Sequence, residues 1–396
     1  MSRRNKSAHN ILMYSHDTYG LGHIRRTMSI ANHLRGPNCN VLIMTGSPLV
    51  GRFTFPEHVD FVRIPGMIKR TNEEYQPLSI RIHPQHAINI RRNIITATAK
   101  AFAPDLFVVD KEPLGLKKEV YHTLKWMRKS LPRTRTVLGL RDIMDDREVI
   151  LKDWRDKGVY EVLDDLYSEI WVYGEQQLYD PVREYDIPES VSEKVVYTGY
   201  IPRTVPDPAD VARMRRDLGV GPDDRLVVVT TGGGGDGQRL MHIFLSMLEA
   251  GPVPFKSALV TGPFMPRTER DRTRERADSL GAHFYEFFQH MERMLAAADL
   301  VVSMGGYNTV CELLSQGTLS LLVPRETPRR EQLIRAGVMA DKRLADYIRW
   351  DSLEPARLRE KILAMLDNPA PYRAAMGSFS LTGLDIIKER IARMWE

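Results

Sequence analysis

Short runs of Val, Ile and Leu alternate with segments in which apolar residues recur every three or four positions. In the first half these runs fall at residues 10–16, 40–45, 60–64, 106–110, 136–140, 169–173 and 195–198. Several are nearly unbroken, the pattern of parallel strands covered on both faces rather than of strands with one wet face. Helical periodicity fills the gaps, as at 24–34 and 88–102. After residue 208 the alternation restarts, with strand-like runs at 226–231, 257–261, 283–288, 300–303 and 320–323, and a helical pattern at 384–395. Strand–helix alternation predicts an α/β fold of doubly wound parallel sheets.

Between the halves, Gly199 is followed by Pro202, Pro206 and Pro208, which reads as an interdomain linker. A length of 396 residues suits two domains. The expected division is 1–202, 203–380 and a terminal helix at 381–396 that packs back on the first domain. Hydrophobic content of 43% supports ordinary cores, and no run of about 18 apolar residues predicts a membrane span. The first ten residues carry Arg3, Arg4 and Lys6 but no apolar stretch of signal-peptide length behind them. Cys39 and Cys311 are too few for a disulfide framework, so a reduced, cytoplasmic setting is expected. The net charge of +5 is spread along the chain among acidic residues, without zinc-finger spacing or a basic–aromatic tract. That excludes the usual nucleic-acid modules and leaves an anionic membrane surface or a phosphate-bearing ligand as charge partners.

Three glycine turns stand at predicted strand ends. The first contains Tyr19, Gly20, Gly22 and His23, and opens a helix whose stripe is Ile24, Met28 and Ala31. A helix packed this way points its free N–H groups toward the carboxyl ends of the strands, where open α/β sheets bind anions. Arg25 stands where a dinucleotide fingerprint needs glycine, so a nicotinamide enzyme is disfavoured. The second turn, Gly232, Gly233, Gly234 and Gly235, has no Lys-Ser/Thr after it and is not a P-loop. A run of four glycines is hard to explain by packing and points to phosphate or sugar contact. The third is Ser303-Met304-Gly305-Gly306-Tyr307-Asn308-Thr309, with Glu312 one turn into the next helix. By helical angle Glu312 falls opposite the Val310–Leu313–Leu314 stripe, suited to the two hydroxyls of a ribose.

On these residues the chain resembles the inverting GT-B glycosyltransferases that include bacterial MurG and the plant galactolipid synthases. It is most similar to a bacterial branch that opens with a G-L-G-H-x-R-R loop, here Gly20 to Arg26. The resemblance covers nearly the whole chain. It implies two facing Rossmann-like domains with a cleft between them, the first holding the acceptor and the second a nucleotide-sugar, with UDP the expected nucleotide. It places Glu312 on the ribose, Gly305, Gly306, Asn308 and Thr309 with Met304 at the diphosphate, Phe288 at the base, and Glu331 and Gln332 on the donor sugar. The run Gly232–Gly235 and Gly22 complete the donor set. Here Met304 and Gly305 replace the family's more polar approach to this motif, and the loop 325–331 is unusually charged.

The implied reaction moves a hexose or N-acetylhexosamine without a metal or other cofactor. The sequence has no Asp-x-Asp donor motif, and helix N-termini can take the diphosphate charge. His23, which titrates near neutrality, is the expected base, with Asp110 and Glu112 as alternatives. Tyr19, Arg26, Arg141 and Asp142 are the expected acceptor contacts. The segment 66–92, with Lys69, Arg70, Arg81, Arg91 and Arg92, fits either a lid or membrane-facing acceptor site or a solvated loop and helix face. The competing readings are a nonhydrolysing UDP-sugar 2-epimerase and a nucleotide-sugar-binding protein without turnover. The epimerase alone would act on UDP-sugar without an acceptor.

Overall fold

A computed structural model describes residues 8–17, 22–69 and 75–396, residue 69 by its backbone alone. Tyr19, Gly20 and Arg70 lie outside the described residues. The chain forms two compact units. One comprises the described residues up to Ile201 with Thr382–Glu396, the other Pro202–Leu381.

In the first unit, seven parallel strands form one sheet. They are β1 (His9–Ser15), β2 (Cys39–Thr45), β3 (Val59–Arg63), β6 (Leu106–Asp110), β7 (Arg135–Arg141), β8 (Glu169–Tyr173) and β9 (Val195–Tyr197), in the order β3-β2-β1-β6-β7-β8-β9. β4 (Met67–Lys69) and β5 (Tyr75–Pro77) make a separate antiparallel pair. β6 is buried along its whole length, and β1 from Ile11 onward, which accounts for their unbroken apolar sequence. Each Val or Ile buried there contributes about 1.5–3 kcal/mol of transfer free energy.

The second unit holds β10 (Leu226–Thr230), β11 (Lys256–Val260), β12 (His283–Tyr285), β13 (Leu300–Ser303), β14 (Ser320–Leu322) and β15 (Asp346–Tyr347). Their order is β12-β11-β10-β13-β14-β15, all parallel. Along β10, Val227 and Val229 pack into one cluster and Leu226 and Val228 into another on the opposite face. The sheet is therefore covered on both sides, as its sequence predicts.

Strand order reverses direction between β1 and β6 in one unit and between β10 and β13 in the other. At such a switch point the loops leave the strands in opposite directions and open a crevice. The loops that carry His23, Asp110, Gly232 and Gly305 stand at these two places.

The terminal helix Gly383–Trp395 belongs to the first unit. Arg390 pairs with Glu169, Trp395 stacks on His9 at 3.9 Å, and the Gly383 amide donates to the Tyr200 carbonyl at 3.0 Å. Gly199 has φ of +83°, and a Cβ there would overlap the Thr382 hydroxyl, so glycine permits this close approach. Among the described residues, no helix is long and apolar enough to cross a membrane.

Candidate functional site

The two switch points present different chemistry, and each is described within its own unit. In the first, the helix Gly22–Leu34 follows β1 and buries Ile24, Met28 and Ala31. Asp17 caps its start, accepting the Ile24 amide at 3.1 Å and the Thr45 hydroxyl at 2.5 Å. Burial pushes the Asp17 carboxyl up to about 6, against the lowering effect of Thr45.

His23 sits in the first turn of this helix, its side chain 17% exposed. Its Nδ1 lies 2.5 Å from Oδ2 of Asp110, the last residue of β6. Arg26, one turn further on, directs Nη2 at 2.5 Å and Nε at 3.1 Å to the other oxygen, Oδ1. Arg26 Nη2 also lies 3.2 Å from His23 Nδ1. A guanidinium can only donate, and the carboxylate is nearer, so Nδ1 carries a hydrogen and donates it to Asp110. Nε2 then bears the lone pair. Burial pushes the His23 imidazole down to about 4, further than Asp110 pulls it up, so it is neutral at physiological pH. Burial also raises the Asp110 carboxyl, but Arg26 and His23 outweigh it and hold the group well below the usual carboxylate range. A neutral histidine oriented by a carboxylate is the arrangement of a general base.

This alters the roles expected of two residues. Arg26, expected at the acceptor, is 1% exposed, gives its guanidinium to Asp110 and lies 5.5 Å from the Tyr173 ring centroid. Asp110, an alternative base, already holds His23 and Arg26 and orients the imidazole. Glu112 pairs with Lys111 at 3.3 Å and is 30% exposed. Asp142 is buried and accepts the Tyr200 hydroxyl at 3.0 Å, while Arg141 closes β7 partly exposed. Arg91, expected among the lid cations, is fully buried against Glu119 and cannot present charge to a membrane. Its apolar neighbours on the helix and its carboxylate partner 28 residues away draw it inward. The Arg26–Asp110 pair is not visible in sequence, because 84 residues separate the partners.

In the second unit, β10 leads into the glycine run. Gly232 and Gly234 have φ of +65° and +87°, and Gly262 has +83°. A Cβ at Gly234 would overlap the Thr261 carbonyl oxygen, and one at Gly262 the Gly232 carbonyl. Phe264 N donates to Gly233 O at 2.9 Å, and Thr231 Oγ1 to Thr261 O at 2.6 Å. Backbone packing against the loop after β11 therefore explains Gly234, contrary to the expectation that packing could not account for the run. Gly232, Gly233 and Gly235 are exposed, and nothing lies within 4 Å of a Cβ placed on Gly232.

β13 ends in Ser303, and Gly305 turns the chain with φ of +70° into the helix Tyr307–Gln316. Gly306 is its N-cap, in extended conformation, without a side-chain cap of its own. The Gly305 carbonyl accepts from the buried Arg335 at 3.3 Å, and the Asn308 side chain accepts from Arg203. Met304 is buried and Thr309 half-buried beside this turn. Although it falls opposite the Val310–Leu313–Leu314 stripe, Glu312 is 7% exposed and lies among buried neighbours on the helix. It is an enclosed carboxylate one turn from the helix start. Glu331 is also buried and meets Arg325 at 2.9 Å, while Gln332 Oε1 accepts the Arg325 amide at 3.1 Å. Arg325 reaches Asp236 at 2.6 Å, tying the glycine run to the loop before Glu331. Phe288 packs edge-on against Tyr285 at 5.1 Å. Among the described residues no group of three or more His, Cys, Asp or Glu is placed to hold a metal ion.

Two parallel-sheet units of this topology define the GT-B fold. Solved structures with that fold align over almost all of the chain. MurG of Acinetobacter baumannii is 14% identical with a TM-score of 0.62, over 98% of this chain and 99% of that one. A UDP-glucosyltransferase of Polygonum tinctorium is 13% identical with a TM-score of 0.68, over 99% of each chain. At such identity they show the shared fold alone. Residues 227–390 match the glycosyltransferase family 28 C-terminal domain. Over 175 residues the chain is 33% identical to the UDP-N-acetylglucosamine--N-acetylmuramyl-(pentapeptide) pyrophosphoryl-undecaprenol N-acetylglucosamine transferase of Rhodopseudomonas palustris strain BisB18. That alignment covers 42% of this chain and 45% of the relative, so the chain spans under half the length of the curated relatives it matches. The resemblance to MurG-like GT-B proteins holds in fold over almost all of the chain and in sequence over under half of it.

Proposed function

We propose that this protein is an inverting, metal-independent glycosyltransferase that moves a hexose or N-acetylhexosamine from a UDP-sugar to a hydroxyl acceptor. The observation that carries the reading is the match of residues 227–390 to a glycosyltransferase domain. Within that domain the Gly305–Gly306 turn, its helix start and the enclosed Glu312 form a grip at a sheet switch point. Glu312 takes the ribose hydroxyls, and the positive end of the helix dipole takes the diphosphate.

In the reaction the acceptor oxygen attacks the anomeric carbon from the face opposite the leaving group. The new C–O bond forms as the bond from the anomeric carbon to the diphosphate oxygen breaks, and UDP departs with the electron pair. The acceptor hydroxyl proton passes to Nε2 of His23. Asp110, accepting from Nδ1, stabilises the imidazolium so formed. The positive end of the helix dipole stabilises the departing diphosphate, which is why no metal is required. No cofactor other than the donor is needed.

The relatives' names specify a UDP-N-acetylglucosamine donor and an undecaprenol-linked acceptor. UDP-N-acetylglucosamine is therefore the first donor to test. A thermal-shift series with UDP-, GDP- and TDP-sugars should show stabilisation by the UDP compounds. At a hundredfold excess over Kd, binding adds about 2.7 kcal/mol to native-state stability. Absence of a shift with every nucleotide-sugar would overturn the reading. The proposal includes a peripheral position on an anionic membrane, where exposed Leu78, Ile80 and Ile90 are apolar contacts beside Arg81. Vesicles containing phosphatidylglycerol should then co-sediment the protein.

A further inference from the structure

Directly after β1 and beside His23 stands a second histidine, His16, that this mechanism leaves unused. Tyr14 and His16 are two residues apart on an extended strand end and point the same way. Both are buried. The His16 ring lies edge-on to that of His23, with centroids 5.8 Å apart. Glu112, Lys111 and Asp110 are its charged neighbours from the loop after β6.

A chain of buried polar groups leads to His16. Arg91, on the helix Pro84–Phe102, directs Nε and Nη2 to the two oxygens of Glu119, each at 2.6 Å, and both side chains are fully buried. Its Nη1 donates to the Pro65 carbonyl at 2.6 Å. Glu119 Oε1, part of that ion pair, accepts the Tyr14 hydroxyl at 2.6 Å. The Tyr14 proton is thus committed to Glu119. Burial and the Glu119 charge push the phenol well above its ordinary range, so that proton stays. The Tyr14 oxygen can then only accept. It receives the Leu116 amide at 3.3 Å and stands 3.3 Å from His16 Nδ1. Two lone pairs meeting there would repel, so Nδ1 must carry the hydrogen. Burial disfavours a charged ring at His16. The lone pair is left on Nε2.

We propose that His16 is a second recognition histidine, held by Arg91, Glu119 and Tyr14 in the Nδ1–H form so that its Nε2 accepts a hydrogen bond from a hydroxyl of a polyhydroxylated acceptor. His23 removes a proton from the reacting hydroxyl, and His16 orients the molecule through a hydroxyl that does not react. An acceptor lacking that hydroxyl forgoes the bond to Nε2 and is discriminated against. The identity of the ligand rests on the glycosyl-transfer reading; the fixed tautomer does not.

The test is nitrogen-15 NMR of the full-length protein labelled at histidine, with the His16 signals assigned by their loss in His16→Gln. At pH 7 the wild type should show a protonated Nδ1 and an unprotonated Nε2. In Tyr14→Phe, a small change that keeps the ring, the Nε2–H form should appear. Glycerol, the probe polyol, should move the Nε2 signal of the wild type in the direction of hydrogen bonding, and ethanol at equal concentration should move it less. A wild-type Nε2–H tautomer would overturn the proposal, as would an Nε2 signal unmoved by glycerol. Neither reading depends on turnover, so a failed transfer assay and a failed His16 assignment are separately recognisable.

Discussion

Asp110 does two jobs with its two oxygens, and the consequences of removing it differ by substitution. Oδ2 holds His23 and Oδ1 neutralises the buried Arg26. Asp110→Ala should cost about 3–5 kcal/mol in denaturant unfolding, because it strands a buried guanidinium. His23→Ala leaves that pair intact. It should lower kcat about 10²- to 10⁴-fold with little change in stability, and normal transfer rates in this variant would remove His23 as the base. A pH effect follows from Asp17 and His23 together. The folded pKa of His23 is lowered to about 4 from 6.5, so between these values the unfolded state binds more protons and stability falls on acidification. Asp17 is raised to about 6 from 3.8, so there the folded state binds more protons and stability rises on acidification. The two oppose each other between pH 4 and 6. Asp17→Asn removes the protective member, so urea titrations should show its stability dropping more steeply than the wild type's from pH 6 to 4. The chemical types in this site were readable in the sequence, and His23 and Asp110 were both candidates. Their pairing was not, because 87 residues separate them and only the adjacency of β1 and β6 brings them together.

The elements themselves were largely legible, since a fully buried parallel strand leaves a short run of Val, Ile and Leu. β6 and β8 fall at the residues expected, 106–110 and 169–173. β4, β5 and β15 were not expected. Each has two or three residues, and Tyr75-Gln76-Pro77 shows neither alternation nor an apolar run. The glycine run divides by position in a way no composition argument predicts. Gly234→Ala should destabilise by more than about 1 kcal/mol, from positive φ together with overlap on Thr261. Gly233→Ala meets only the Phe264 ring at 3.3 Å and has no positive φ, so its melting temperature should stay near that of the wild type. If UDP-sugar binding is lost in Gly233→Ala without loss of stability, the exposed part of the run belongs to the ligand. The Arg325 bridge to Asp236 and Glu331 couples this turn to the proposed sugar loop. Arg325→Ala should therefore weaken UDP-sugar binding more than it weakens UDP binding, as calorimetry can measure.

Over the whole molecule, the linker at residues 199–208 marks the passage between units, and the terminal helix returns to the unit where the chain began. The pairing of Arg390 with Glu169 and the stacking of Trp395 on His9 tie that helix to the first sheet. Deleting residues 382–396 should lower the melting temperature of the first unit and leave the second unit's transition near its wild-type value, in a calorimetric scan that resolves two transitions. The same return has a meaning in time. A ribosome releases the chain from its amino end, and the first unit lacks its closing helix until the second unit has been synthesised in full. The unit that starts first therefore finishes last. For most of synthesis the surface around His9 and Glu169 is therefore uncovered.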